Sequence, residues 1–263
     1  MKKELPLFLM MFCIIISAFS QEKVEKDYWY TSPDNNGYIS IQKIDSKNEN
    51  SVSTTINTTV RAKFDNEILN FNLSTVSDGD KMVAPTNIVF DGIMDSNMKH
   101  VSFKGNRIKM DRKNASYWYF DGDFKNEMET DPDFKSITRA KHNATLKFPD
   151  RTIPTFNLWA IIPNLPFERS GTFIFNALDE TKLYVRKDQT VNYLGQYTTN
   201  IKGENIVLHK FVHQGKGMLP AYYWVNDNRE LVQVLLDNQY TFTLSTKEDA
   251  LQTKTMVAAV NND

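Results

Sequence analysis

From Val52 to Phe64 the chain alternates without a slip. Val52, Thr54, Ile56, Thr58, Val60, Ala62 and Phe64 interleave with Ser53, Thr55, Asn57, Thr59, Arg61 and Lys63. Successive side chains of a strand point to opposite faces, so this segment presents one apolar or β-branched face and one polar face. A helical period would scatter the same residues around the axis, which excludes an amphipathic helix here. After Asp65-Asn66-Glu67 the pattern resumes, with Leu69, Phe71 and Leu73 set against Asn70, Asn72 and Ser74. Two such runs joined by a short polar turn make an antiparallel hairpin.

The same reading extends along the chain. Strands are expected at Tyr38–Lys43, Thr86–Asp91, Val101–Ile108, Ser116–Phe120, Ala144–Phe148 and Thr172–Ala177. Others are expected at Leu183–Tyr193, Ile206–Val212, Ala221–Val225, Leu231–Leu236 and Tyr240–Leu244. Many short strands punctuated by Asn, Asp and Gly predict an all-β, antiparallel open half-barrel or barrel. The segment from Lys247 is expected to be frayed or weakly helical.

The first twenty residues read as a signal peptide. Lys2 and Lys3 precede the apolar run Leu7–Ile16, and Ala18 and Ser20 are small residues placed for cleavage before Gln21. The run is shorter than the roughly 20 residues a membrane-spanning helix needs. Cys13 follows bulky Phe12, against lipoprotein processing. The expectation is an exported chain, periplasmic or extracellular, with no transmembrane span after cleavage. It would carry a single domain over residues 21–246 and a tail over 247–263.

Cys13 is the sole cysteine, so the mature chain has no disulfide, thiolate nucleophile or cysteine-based metal site. The core alone must hold it, and its length suffices. The whole chain has a formal net charge of −1; the leader removes two Lys and one Glu, leaving −2. This balance offers nucleic acid or an anionic membrane no electrostatic footing.

One segment departs from the strand rhythm. Pro154 precedes Thr155, a candidate N-cap, and Phe156, Leu158, Trp159, Ala160, Ile161 and Ile162 follow before Pro163 stops the helix. These residues point all round the axis, so the helix should be buried, against the concave face of the sheet.

The stretch from Pro154 to Ser245 resembles an uncharacterised family of bacterial envelope domains of unknown function. The shared features are Thr155-Phe156-Asn157-Leu158 opening the helix, Gly171-Thr172-Phe173 starting a strand, and a turn at Gly195. The hairpin Tyr223–Val232 completes them, and Pro85 before the strand Thr86–Asp91 agrees with the same layout. The resemblance implies a relative of the periplasmic lipoprotein-carrier fold, an open half-barrel curled around a helix. It brings no activity, substrate or catalytic residue.

Chemical motifs are sparse. His209 and His213 would share a helix face and a zinc ion, but their surroundings favour a strand, which would set their Cα atoms roughly 13 Å apart. They are therefore expected to be exposed strand histidines, and no metal site is expected. The acidic run Asp121–Asp133 has carboxylates but no EF-hand placement, and reads as a solvated loop. No Gly-x-Ser-x-Gly motif or phosphate-cradling glycine loop is present, so no cofactor is implied. The triplets Tyr28-Trp29-Tyr30 and Tyr222-Tyr223-Trp224 and the run Tyr117–Phe120 should divide their rings between core and surface.

The sequence thus points to a non-enzymatic envelope protein that binds an apolar or amphipathic small ligand in the concave face of the half-barrel. Phe156, Leu158, Trp159 and Ile162 are the candidate binding residues. Two alternatives are a carbohydrate-active hydrolase or lyase, which needs convergent carboxylates or a Tyr/His pair in a groove, and a structural or assembly partner at the outer membrane, with an envelope protein as its partner.

Overall fold

The computed structural model describes residues 22–34, 36–48, 51–64, 67–79, 84–93, 100–111, 115–129, 136–167, 171–201 and 204–259. Residues 1–21, on which the expected leader and its cleavage site fall, lie outside these. The first eight strands are β1 (Glu22–Thr31), β2 (Gly37–Asn48), β3 (Ser51–Phe64), β4 (Glu67–Asp78), β5 (Asn87–Ile93), β6 (His100–Asp111), β7 (Ala115–Glu129) and β8 (Ser136–Pro149). After β9 (Thr152–Pro154) comes α1 (Leu158–Ile161), with 3-10 turns at Thr155–Asn157 and Ile162–Asn164. Then follow β10 (Thr172–Asp179), β11 (Tyr184–Ile201), β12 (Glu204–Gln214), β13 (Ala221–Asn226), β14 (Leu231–Leu236), β15 (Tyr240–Ser245) and α2 (Lys247–Ala259).

All fifteen strands belong to one sheet, ordered β8 to β1, then β15 down to β9. Every neighbour in that order is a neighbour in sequence except β1 and β15, where the two ends of the chain pair antiparallel through Trp29↔Ser245 and Tyr30↔Leu244. The two edges of the sheet, β8 and β9, are separated by two residues only, and Thr152 Oγ1 donates to the carbonyl of Pro149 at 2.7 Å. The turn brings the two edges together at one end, and the sheet is nearly closed and barrel-shaped, as the strand pattern predicts. Its one parallel pair is β9 with β10. A parallel pair needs a crossover, and here the crossover contains residues 155–164, which run inside the barrel as a plug.

The width of the barrel explains the plug. About eight strands enclose a space that side chains alone can fill, and wider barrels leave room. Leu158, Trp159, Ala160, Ile161 and Ile162 are all buried, as an all-round apolar helix must be. Around it the interior holds aliphatic side chains such as Ile39, Ile56 and Val60 and a row of aromatic rings. Phe71, Phe90, Phe103, Phe120 and Phe148 stand on five successive strands, with centroids 4.9, 5.2, 5.6 and 5.8 Å apart along the row. Phe71 meets Phe156 at 5.5 Å, and Trp159 meets Tyr30 of β1 at 4.9 Å and Phe242 of β15 at 5.9 Å. The row thus passes through the plug to the joint between the chain ends. Glycine makes space for it: a Cβ on Gly105 would lie 2.5 Å from the Phe120 ring. The outer face is polar, as the 52–64 alternation implies. Gln42 donates to Glu25 at 2.7 Å, Asn57 to Gln42 at 2.8 Å and Ser74 to Asn57 at 2.7 Å, a ladder across β1–β4.

Three details differ from the sequence reading, and the expected weak helix after Lys247 is present as a helix. Asp121–Glu129 continues β7 and is not a loop, turned at Gly122 (φ +112), whose N–H is donated to Asn143 Oδ1 at 2.8 Å; residues 130–135 lie outside the described residues. Thr155 does not cap the helix: its hydroxyl donates to the Leu178 carbonyl, and the Phe156 N–H is donated to Glu180 Oε1 at 2.9 Å. The helix after Lys247 buries Ala250 against the barrel. β1 starts at Glu22, because pairing with β2 holds a charged stretch that lacks an apolar alternation. No helix among the described residues is long and apolar enough to cross a membrane.

If the plug is core, Trp159→Ala should cost about 3–5 kcal/mol in urea denaturation, as emptying a large buried aromatic site does. A loss below about 1 kcal/mol would mean that the barrel does not depend on this ring.

Candidate functional site

The inner faces of β1 and β2 change character towards one end of the barrel. Tyr30, Ile39 and Ile41 are fully buried, Tyr28 is half-buried, and the next inward positions are Lys26 and Lys43, which pair directly across the two strands. The plug's C-terminal end lies beside them. A cavity of about 40 Å³ opens there, lined by Tyr28, Tyr30, Trp159, Ala160 and Leu231, with Lys26, Lys43 and Arg229 among its walls. One water needs roughly 10–15 Å³ of such space, so the cavity has room for about three waters.

Arg229 reaches this cavity from the β13–β14 turn. The turn is closed by Asn226, whose N–H donates to the Glu230 carbonyl at 2.9 Å and whose amide donates to Glu230 Oε2 at 2.8 Å. Arg229 adopts a left-handed backbone (φ +63), and its Nη1 donates to the carbonyl of Leu165 at 2.5 Å, just past the end of the plug. Its guanidinium carbon lies 3.7 Å from the centroid of the Phe167 ring, and the His209 imidazole stacks on that ring at the same distance, 16° from parallel. Two groups cannot share one face at that spacing, so Phe167 is sandwiched between them. His209 is itself held at both nitrogens, by Tyr193 Oη at 2.9 Å and Asp227 Oδ1 at 2.8 Å. All three groups are satisfied when Nε2–H donates to Asp227 and Nδ1 accepts from the Tyr193 hydroxyl. Burial, then Asp227, raises the pKa of Tyr193.

Of the candidate binding residues, only Trp159 lines the cavity. Leu158 and Ile162 are fully enclosed in the core, and half-buried Phe156 packs on Phe71 at the other end of the helix. Of the cationic lining residues, Lys26 and Lys43 carry no chemical motif in the sequence, while Arg229 beside Asp227 reads there most simply as part of a polar hairpin turn and not as a ligand clamp, whereas the structure places it in the cavity wall. Stepping back by twos from Tyr30 would have placed Lys26 inward.

The two histidines also depart from expectation. Neither is exposed: His209 and His213 face inward on β12 and are 3% and 1% exposed. Among the described residues no group of three His, Cys, Asp or Glu side chains could hold a metal ion. Burial, aided by Arg186, pushes the His213 pKa down to about 4. Of the aromatic triplets, Tyr30 and Tyr223 are core. Tyr222 and Trp224 lie together on the outer face, where Lys210 Nζ sits 4.4 and 5.0 Å from their ring centroids.

The plug's other end carries the most perturbed carboxyl. Glu180 is buried, and burial raises its pKa to about 8, although the N–H bonds from Phe156 and from its own backbone favour the anion. Desolvation wins, and at neutral pH the side chain is mostly the neutral acid. No family model, curated protein or solved structure matches the chain.

The shifts of Glu180 and His213 set a pH dependence. Between about pH 4.5 and 8 the folded chain holds a proton on Glu180 that the unfolded chain has lost, so stability falls as pH rises through this window. His213 acts oppositely between about pH 4 and 6.5, where only the unfolded chain binds its proton. The two offset each other up to pH 6.5, and above it Glu180 acts alone. Wild type should therefore lose roughly 2 kcal/mol more than Glu180→Gln between pH 6.5 and 8.5 in denaturant titrations. Parallel curves would show that Glu180 is ionised in the fold.

Proposed function

We propose that the protein is a non-enzymatic, exported binding protein that takes a small amphipathic ligand at the mouth of the barrel. The cavity beside Trp159 is the observation that carries this reading, because it joins an apolar floor of Trp159, Ala160 and Leu231 to a polar rim within the concave face. Ligand sites are concave and mostly apolar, with a few convergent polar groups. The resemblance of residues 154–245 to a carrier-like envelope family supports the same reading, and so does the leader-like start of the chain. The cavity admits a head group and the first carbons behind it; a long acyl chain would have to displace the plug.

A carbohydrate lyase could use a Tyr/His pair, and Tyr193 with His209 is one. Here the imidazole is buried, one of its faces is covered by Phe167, and both its nitrogens are taken. This favours a supporting role behind Arg229 over proton transfer to a substrate.

Isothermal titration with 1-octanol and octanoate tests the binding reading, in wild type and in Ala160→Leu, which fills the cavity. Wild type should bind at least one of the two saturably, one to one. Ala160→Leu should lose that binding while its melting temperature holds or rises, as cavity-filling changes commonly do. Absence of saturable binding by the wild type, or unchanged binding by Ala160→Leu, would rule the reading out. Intact-mass analysis of the protein from its native cell should find Gln21 as the first residue.

A further inference from the structure

The ligand's charge can be read from the rim of the same cavity. We propose that Lys26, Lys43 and Arg229 form an anion subsite that holds the carboxylate or phosphate group of the ligand, with its apolar part against Trp159 and Leu231. This rests on the binding reading above and adds the chemical class of the ligand.

Lys26 and Lys43 stand directly opposite each other on β1 and β2. Like charges at such positions destabilise a sheet; Asp45 already bridges Lys43 at 2.6 Å, so the charge left without a counter-ion is that of Lys26, and an anion beside it would offset the remaining repulsion. Both occupy inward register positions, two residues beyond Tyr28 and Ile41, so the repulsion is directed into the mouth.

The nearby carboxylates are already committed. Asp45 bridges Lys43 at 2.6 Å and accepts from Thr54 at 2.7 Å, and Glu230 accepts from Asn226 within its own turn. Among the described residues no carboxylate lies within 4.0 Å of Lys26. Its charge is therefore available to a ligand.

Arg229 supplies geometry as well as charge. A guanidinium has five N–H donors in a planar fork suited to carboxylate and phosphate. One nitrogen is fixed on the plug's terminal carbonyls, and the guanidinium carbon sits 3.7 Å from the centroid of the Phe167 ring, which is backed by His209, Tyr193 and Asp227. The remaining donors are held in place before any ligand arrives, which lowers the entropic cost of binding.

The test is isothermal titration of the mature chain with octanoate, octyl phosphate and 1-octanol, which share a tail and differ in head group. At least one anion should bind about tenfold or more tightly than 1-octanol, a difference of about 1.4 kcal/mol. Lys26→Gln, at an exposed position, should weaken the anion severalfold and leave 1-octanol unchanged. Raised salt should have the same selective effect. Preference for octanoate would assign a carboxylate ligand, and preference for octyl phosphate a phosphate ligand. Equal binding of 1-octanol and both anions would overturn the anion subsite while leaving the amphipathic reading standing. Anion binding untouched by Lys26→Gln and by Lys26→Gln/Lys43→Gln would also overturn the subsite. Failure of all three compounds to bind would remove both.

Discussion

The structure depends on a single solvation problem: a sheet of fifteen strands encloses more space than its own side chains can fill. Residues 155–164 solve it by carrying apolar side chains all round a short helix into the interior. A helix placed there brings unpaired N–H groups with it, and burying such a group without a partner costs about 1–3 kcal/mol. Glu180, at the end of β10, accepts the N–H of Phe156 and so makes this burial tolerable. At the other end Arg229 donates to the carbonyls of Pro163 and Leu165. The plug is thus tied at one end by a buried acid and at the other by a stacked guanidinium. β9 and β10 pair in parallel, and the connection that such a pair requires is the buried segment that crosses the inside.

The two ties differ in kind, and this divides the molecule functionally. Glu180 is enclosed and mostly neutral, so its role is structural and its signature is pH-dependent stability. Arg229 lies at the mouth, where Lys26 and Lys43 add to its charge and Trp159 supplies an apolar floor. The stack from Arg229 through Phe167 to His209 accounts for the burial of His209 on β12. His209 braces the turn that carries Arg229. His213, deeper in the barrel, packs near Phe175 as a neutral ring.

Much of this was legible in the sequence where a physical period was strong. The run Val52–Phe64 and its partner Leu69–Leu73 appear as β3 and β4 with the expected faces inward. The apolar segment 156–162 is buried inside the sheet, as its lack of a polar stripe required. The rest was hidden for identifiable reasons. β1 carries Glu22-Lys23-Val24-Glu25-Lys26-Asp27, where pairing and not apolar alternation imposes the strand, and this concealed the inward Lys26. The capping role of Glu180 joins residues 24 positions apart and has no local signature. His209 and His213 looked exposed because histidine is polar. Their odd-numbered register with Phe211 places them inward, and that register was available in the chain.

The central claim is that the plug is an integral part of the barrel core, held from both ends. Native-state hydrogen exchange of the amides in residues 155–164 tests it most directly, since exchange reports the free energy of the smallest opening that exposes each N–H. The account predicts that the Phe156 amide and those of α1 exchange only with global unfolding, at the same free energy as the centres of β3 and β4. Exchange of the plug through a separate, low-energy opening while β3 and β4 stay protected would contradict it.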